Sequence, residues 1–167
     1  MINFFSPAII KEIRLDIERI LIETFHVMLS LDVVVIPGIE LMEGQDRICS
    51  YLKMKHGSTE AVLALSTSRT VVNLLCDRIE QGVSPHSEAL ITDVISELTN
   101  IVANHLRTKL NYSYDILFDV SLPHSGCIPD VPHNVHVLKI YFVLDEADRF
   151  NVNLTCDDSD QIGRAHV

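Results

Sequence analysis

Glu97 and Asn100 stand three residues apart in Ser96-Glu97-Leu98-Thr99-Asn100-Ile101-Val102-Ala103, a run whose aliphatic spacing is helical. Side chains three apart on a helix emerge as neighbours, so a carboxylate and a carboxamide are offered together. The carboxylate can pair with a cation. The carboxamide can accept a hydrogen bond from a water and donate another, which orients the water without serving as a general base. Asp93, Asn104 and Arg107 fall on the same half of the helical wheel. A polar face on an amphipathic helix is by default simply solvated, so residue types alone leave both readings open.

Other chemistry is thinner. His133 and His136 form an H-x-x-H beside a predicted strand, where that spacing sends the side chains to opposite faces and argues against a metal site. Cys127 and His124 share a loop but lack a third group to orient them. Neither a phosphate-binding G-x-x-x-x-G-K-S/T loop nor a G-x-S-x-G elbow is present. Cys49, Cys76, Cys127 and Cys156 are scattered without a C-x-x-C pair, and read as reduced cysteines in a cytoplasmic protein.

The helix bearing Glu97 is expected to start at Ser84-Pro85, a serine cap with proline in the first turn. Its pattern of Leu90, Ile91, Val94, Ile95, Leu98, Ile101, Val102 and Leu106 runs to about Leu110. Ser6-Pro7 opens an earlier helix in the same way, carried by Ile10, Ile13, Ile17, Ile20, Leu21, Phe25 and Met28. Leu31 to Ile36 reads as a strand ending at Pro37-Gly38. Arg47 to Lys55 and Thr59 to Leu65 form a predicted hairpin around His56-Gly57-Ser58. Thr67 or Ser68 caps a short helix with Val71, Val72, Leu75 and Ile79 on its apolar side and Gly82 as terminator. Tyr114 to Leu122 is strand-like, and a loop from Pro123 to Asn134 precedes a last pair, Val135 to Leu144 and Phe150 to Cys156, joined through Asp145 to Arg149. Strict alternation in the final strand predicts one wet face.

The elements therefore describe an α+β fold: two long helices packed on antiparallel sheet, with helix-plus-strands repeated in each half. Residues 1–157 are read as one domain and 158–167 as a polar tail whose last five residues, Gly163 to Val167, are expected to be vector-derived. Of 167 residues 47% are hydrophobic, enough for a substantial core. The net charge of −10 disfavours binding to nucleic acid or to an anionic membrane surface. No apolar run approaches the length of a membrane-spanning helix, and no secretory signal is visible at the start.

Within this order of elements, Glu97-Leu98-Thr99-Asn100 resembles the E-L-x-N-x-I-x-G signature helix of the CheC/CheX/FliY chemotaxis phosphatases. Met28-Leu29-Ser30-Leu31 before a strand is similar to CheX, as is Leu63-Ala64-Leu65-Ser66 before a short helix. The first helix offers no second Glu-x-x-Asn, since Glu12, Glu18 and Glu23 are followed three residues on by Leu15, Leu21 and His26. One site per chain is the CheX pattern. Asn104, Ser30 and Ala61 depart from it at places where glycine is common, and such glycines would admit another backbone closely.

The resemblance implies a phosphatase acting on the phospho-aspartate of a CheY-like response regulator. Asn100 would orient the attacking water and Glu97 would pair with the regulator's lysine, with Asp93, Asn104 and Arg107 as further partner contacts. It implies no cofactor held by this chain, because the regulator supplies Mg²⁺. It also implies a homodimer paired through sheet edges, for which the strands Val135 to Leu144 and Phe150 to Cys156 are the candidates. The alternative is a non-catalytic module that binds a response regulator or a flagellar-switch component through the same face.

Overall fold

The computed structural model describes residues 6–37, 47–80, 86–126, 134–144 and 148–157. Ser84-Pro85, Gly38, Gly82, Cys127, His133, the join at 145–147 and the tail at 158–167 lie outside the described residues, as does the side chain of His136.

Helix α1 (Pro7–Leu29) is capped by Ser6, whose hydroxyl accepts from the Ile9 N–H at 3.4 Å. Its buried stripe is Ile9, Ile13, Ile17, Ile20, Leu21, Phe25 and Leu29. Met28, expected in the core, is instead 66% exposed, because a helix advances 100° per residue and Leu29 takes the inward position at the last turn. Strand β1 (Val33–Ile36) follows, then the hairpin of β2 (Arg47–His56) and β3 (Thr59–Ser68). Its two-residue turn needs Gly57 at φ +59°. Helix α2 (Arg69–Glu80) begins where the Ser68 hydroxyl accepts from the Val71 N–H at 3.3 Å.

Helix α3 (Glu88–Tyr114) differs from expectation at both ends. Its cap is Ser87, whose hydroxyl accepts from the Leu90 N–H at 3.1 Å, in place of Ser84. Tyr114, predicted to begin a strand, ends the helix. Asp115 takes a left-handed conformation, and the Ile116 N–H donates to the Leu110 carbonyl at 3.2 Å. The Tyr114 hydroxyl donates to Glu12 on α1, a tertiary contact that overrides the weak helix propensity of Asn111 to Tyr114. The strand therefore shrinks to β4 (Asp119–Val120), and β5 (His124–Ser125), β6 (Asn134–Leu144) and β7 (Asp148–Asp157) complete the described chain.

The seven strands form one antiparallel sheet in the order β1-β6-β7-β3-β2-β4, with β5 also on β2. All three helices contact the sheet, and Phe150 of β7 stacks between Phe25 of α1 at 5.1 Å and Phe142 of β6 at 4.7 Å. Two expectations are refined by this topology. The polar face of β7 is wet only in part: Asn151 is 4% and Thr155 6% exposed between neighbours Tyr141, Ser66 and Val62 on adjacent strands, while Asn153 is half-buried. Of the strands expected to pair across a subunit boundary, β7 is central and flanked on both sides, whereas β6 pairs with β1 only through Tyr141 to Leu144 and has no described strand beside residues 134–140 on that side.

The order is palindromic. The first half contributes β1, β2 and β3, the second β4, β6 and β7, and each half places its short strand on the far edge of the other's hairpin. The long helices repeat the relation down to their ends. Ser30 (φ 53°, ψ 38°) and Asp115 (φ 54°, ψ 38°) are left-handed caps, followed by the buried anchors Leu31 and Ile116, whose N–H groups reach back to Phe25 and Leu110. This pseudo-twofold is the expected repetition of helix plus strands. Helix α2 stands outside it.

Candidate functional site

The buried stripe of α3, from Ile91 through Ile95, Leu98, Val102 and Leu106 to Leu110, is committed to the core. Its opposite face therefore points outward from a fixed support. Asp93, Glu97, Asn104 and Arg107 are exposed there and Asn100 is half-buried. Thr99, between Glu97 and Asn100, is buried with its hydroxyl donating to the Ile95 carbonyl at 2.8 Å, which anchors this turn from below. Among the described residues, the side chains of Glu97 and Asn100 have no hydrogen-bond or ion-pair partner. A carboxylate and a carboxamide are thus held on a rigid element with their polar atoms uncommitted.

Beside Glu97 the surface falls into a groove of about 370 Å³ between α1, α2 and α3. Its lining is largely aliphatic: Met28 and Leu29 from α1, Ile79 from α2, and Val94, Leu98 and Ile101 from α3. Asp93 and Glu97 form its acidic rim, while Asn100, Asn104 and Arg107 continue along the outer face of α3 without lining it. Among the described residues no three His, Cys, Asp or Glu side chains come together as a metal site.

The pseudo-twofold supplies a comparison inside the molecule. Counting back equally from the two caps, Glu97 corresponds to Glu12 and Asn100 to Leu15; Ile101 corresponds to Asp16, Thr24 to Lys109 and Leu29 to Tyr114. At the first-half position Glu12 accepts the Tyr114 hydroxyl, and Lys109 pairs with Asp16 at 3.6 Å. At the second-half position the same places are held by Leu29, Thr24 and Ile101, which line the groove and leave Glu97 free. One half is closed by polar clamps and carries leucine for asparagine; the other is open.

The groove is not legible in the sequence. Met28 and Ile79 fall within the apolar arcs of their helices by spacing, yet in the last turns of α1 and α2 they are 66% and 53% exposed. Ser30 also has a different meaning from the one expected. A glycine there would serve the left-handed cap, with no need for a close backbone approach. His124 stacks on Tyr51 at 5.3 Å as β5 pairs with β2, and Cys127 lies outside the described residues.

No protein-family model and no curated protein matches the sequence. The fold does match solved structures. The chemotaxis protein CheX from Vibrio vulnificus superimposes with a TM-score of 0.71 at 14% identity, over 87% of this chain and 96% of that one. A structure from Borrelia burgdorferi described as a CheX–CheY–BeF₃–Mg²⁺ complex gives 0.65 at 15% identity, covering 89% and 97%. FliY from Thermotoga maritima gives 0.64 at 13% identity, covering 99% and 96%. The chain has the CheX/CheC-like fold.

Proposed function

We propose that this chain is a phosphatase for the aspartyl phosphate of a CheY-like response regulator. The observation that carries the reading is the pair Glu97 and Asn100, one turn apart on an outward face, rigidly supported and without hydrogen-bond or ion-pair partners among the described residues. The likeness to a CheX structure described with CheY supports a partner of this kind.

Hydrolysis of an acyl phosphate asks little covalent chemistry of the protein; it depends on placing water in line with the phosphorus and on charge stabilisation. Asn100 can accept from that water through its carbonyl and donate through its NH₂, fixing the lone pair toward the phosphorus. Glu97 forms an ion pair with the regulator's lysine and sets the register of α3 over the phosphoryl group. Mg²⁺ belongs to the regulator and neutralises phosphoryl charge there. Asp93, Asn104 and Arg107 extend the contact along α3. A cytoplasmic location and a homodimer belong to the same reading. Among the described residues the open strand sides are those of β1, β4 and β5 and the stretch 134–140 of β6 that β1 does not reach, so edge pairing between copies would use one of those.

The test is a dephosphorylation time course with phosphorylated CheY-type receivers and Mg²⁺. Wild type is expected to accelerate phosphate loss, Asn100→Ala to bind but lose most turnover, and Glu97→Ala to lose affinity as well as rate. Binding without acceleration by wild type would favour a non-catalytic module.

A further inference from the structure

Two large apolar side chains from different elements, Met28 and Ile79, are exposed to 66% and 53% and line the same concavity. Scattered exposed aliphatics need no explanation, whereas a shared aliphatic concavity is the form a recognition site takes. The pseudo-twofold sharpens the point. The equivalent ground on the first half is occupied by Tyr114–Glu12 and Lys109–Asp16, so this packing of α1 against α3 can be closed with polar contacts, and beside Glu97 it is not.

We infer that the groove between α1, α2 and α3 is the apolar half of the docking surface, and that it receives an apolar side chain of the regulator presented next to the cation that pairs with Glu97. This rests on the regulator reading above. Continuity supports it: Glu97 is itself a wall of the groove that Met28 and Ile79 line, so a partner paired with Glu97 stands at the mouth of that groove. Charge selects the occupant. The rim carries Asp93 and Glu97, neither with a partner among the described residues. An acidic segment would be repelled there and a polar one left without partners over an aliphatic floor. An apolar residue beside a lysine or arginine meets both demands. Selection among related receivers, which share the phosphorylated pocket, would then fall to the apolar residue.

The experiment uses the full chain with ¹³C-labelled Met and Ile methyls, titrated with beryllofluoride-activated, Mg²⁺-bound CheY-type receivers. The Met28 and Ile79 methyl signals are expected to shift along with the Glu97 and Asn100 amides. Met28→Ser combined with Ile79→Ser should weaken binding on the order of tenfold. Both positions are exposed, so thermal unfolding of the double variant should stay near that of wild type. If a receiver moves the Glu97 and Asn100 amides but leaves both methyls still, and the double variant binds as wild type does, the groove is idle and only this inference falls. Methyl shifts that follow the concentration of this chain alone would assign the groove to a second copy and overturn it. If no receiver binds, this inference and the regulator reading fall together.

Discussion

Asn100 and Leu98 are two residues apart on α3 and answer to different demands. Leu98 is 6% exposed over the sheet, so Leu98→Ala should cost about 2–5 kcal/mol by leaving a cavity. Asn100 makes no side-chain hydrogen bond or ion pair among the described residues, and Asn100→Ala should change stability by no more than about 0.5 kcal/mol. Denaturant midpoints would compare them; a large loss for Asn100→Ala would mean a structural asparagine. At the first-half counterpart the Tyr114–Glu12 hydrogen bond pushes the phenol up to about 12 from its ordinary value of 10.0, and the negative charges of Glu12 and Asp16 add to the effect. Because the folded state holds the neutral form longer, the resulting stabilisation is fully present below about pH 10 and is lost as pH rises through about 12. Phenolate absorbance should show one late tyrosine in wild type, which returns to the ordinary range in Glu12→Ala.

The elements that hold these residues end at two matched caps. Ser30 and Asp115 both sit near φ +54°, where a Cβ is strained, and both are exposed. Ser30→Gly and Asp115→Gly should each stabilise by about 0.5–1 kcal/mol, the relief of strain exceeding the entropy added to the unfolded chain; unchanged or lowered unfolding temperatures would count against the capping account. Element identity was largely legible in the sequence, because apolar spacing differs between helix and strand. Cap positions were less so. Serine stands at Ser84 and at Ser87, and only tertiary packing decides which one caps. The extension of α3 to Tyr114 was also hidden, since its contact to Glu12 spans most of the chain. Glu97 and Asn100 could be found because both lie on one helix, whereas the groove could not, because Met28 and Ile79 meet only after α1 and α2 have packed.

At the scale of the whole molecule, two similar halves share one sheet and one helical layer but do not share one chemistry. The palindromic strand order places α1 and α3 in equivalent settings, and the differences that bear on the site are Leu15 for Asn100 and a clamped Glu12 for a Glu97 with no partner among the described residues. The coarse repeat was visible in the order of elements, while its residue-level meaning required the caps to be aligned in space. Helix α2, outside the repeat, adds Ile79 to the open side alone among the described residues. The proposed function assigns one working site per chain, and single-turnover dephosphorylation of a bound, phosphorylated CheY-type receiver tests it most directly, comparing wild type with Asn100→Ala and Glu12→Ala. Asn100→Ala is expected to fall close to the receiver's own rate while Glu12→Ala keeps the wild-type rate. Retention of full rate by Asn100→Ala, or its loss in Glu12→Ala, would contradict the assignment of the site to α3.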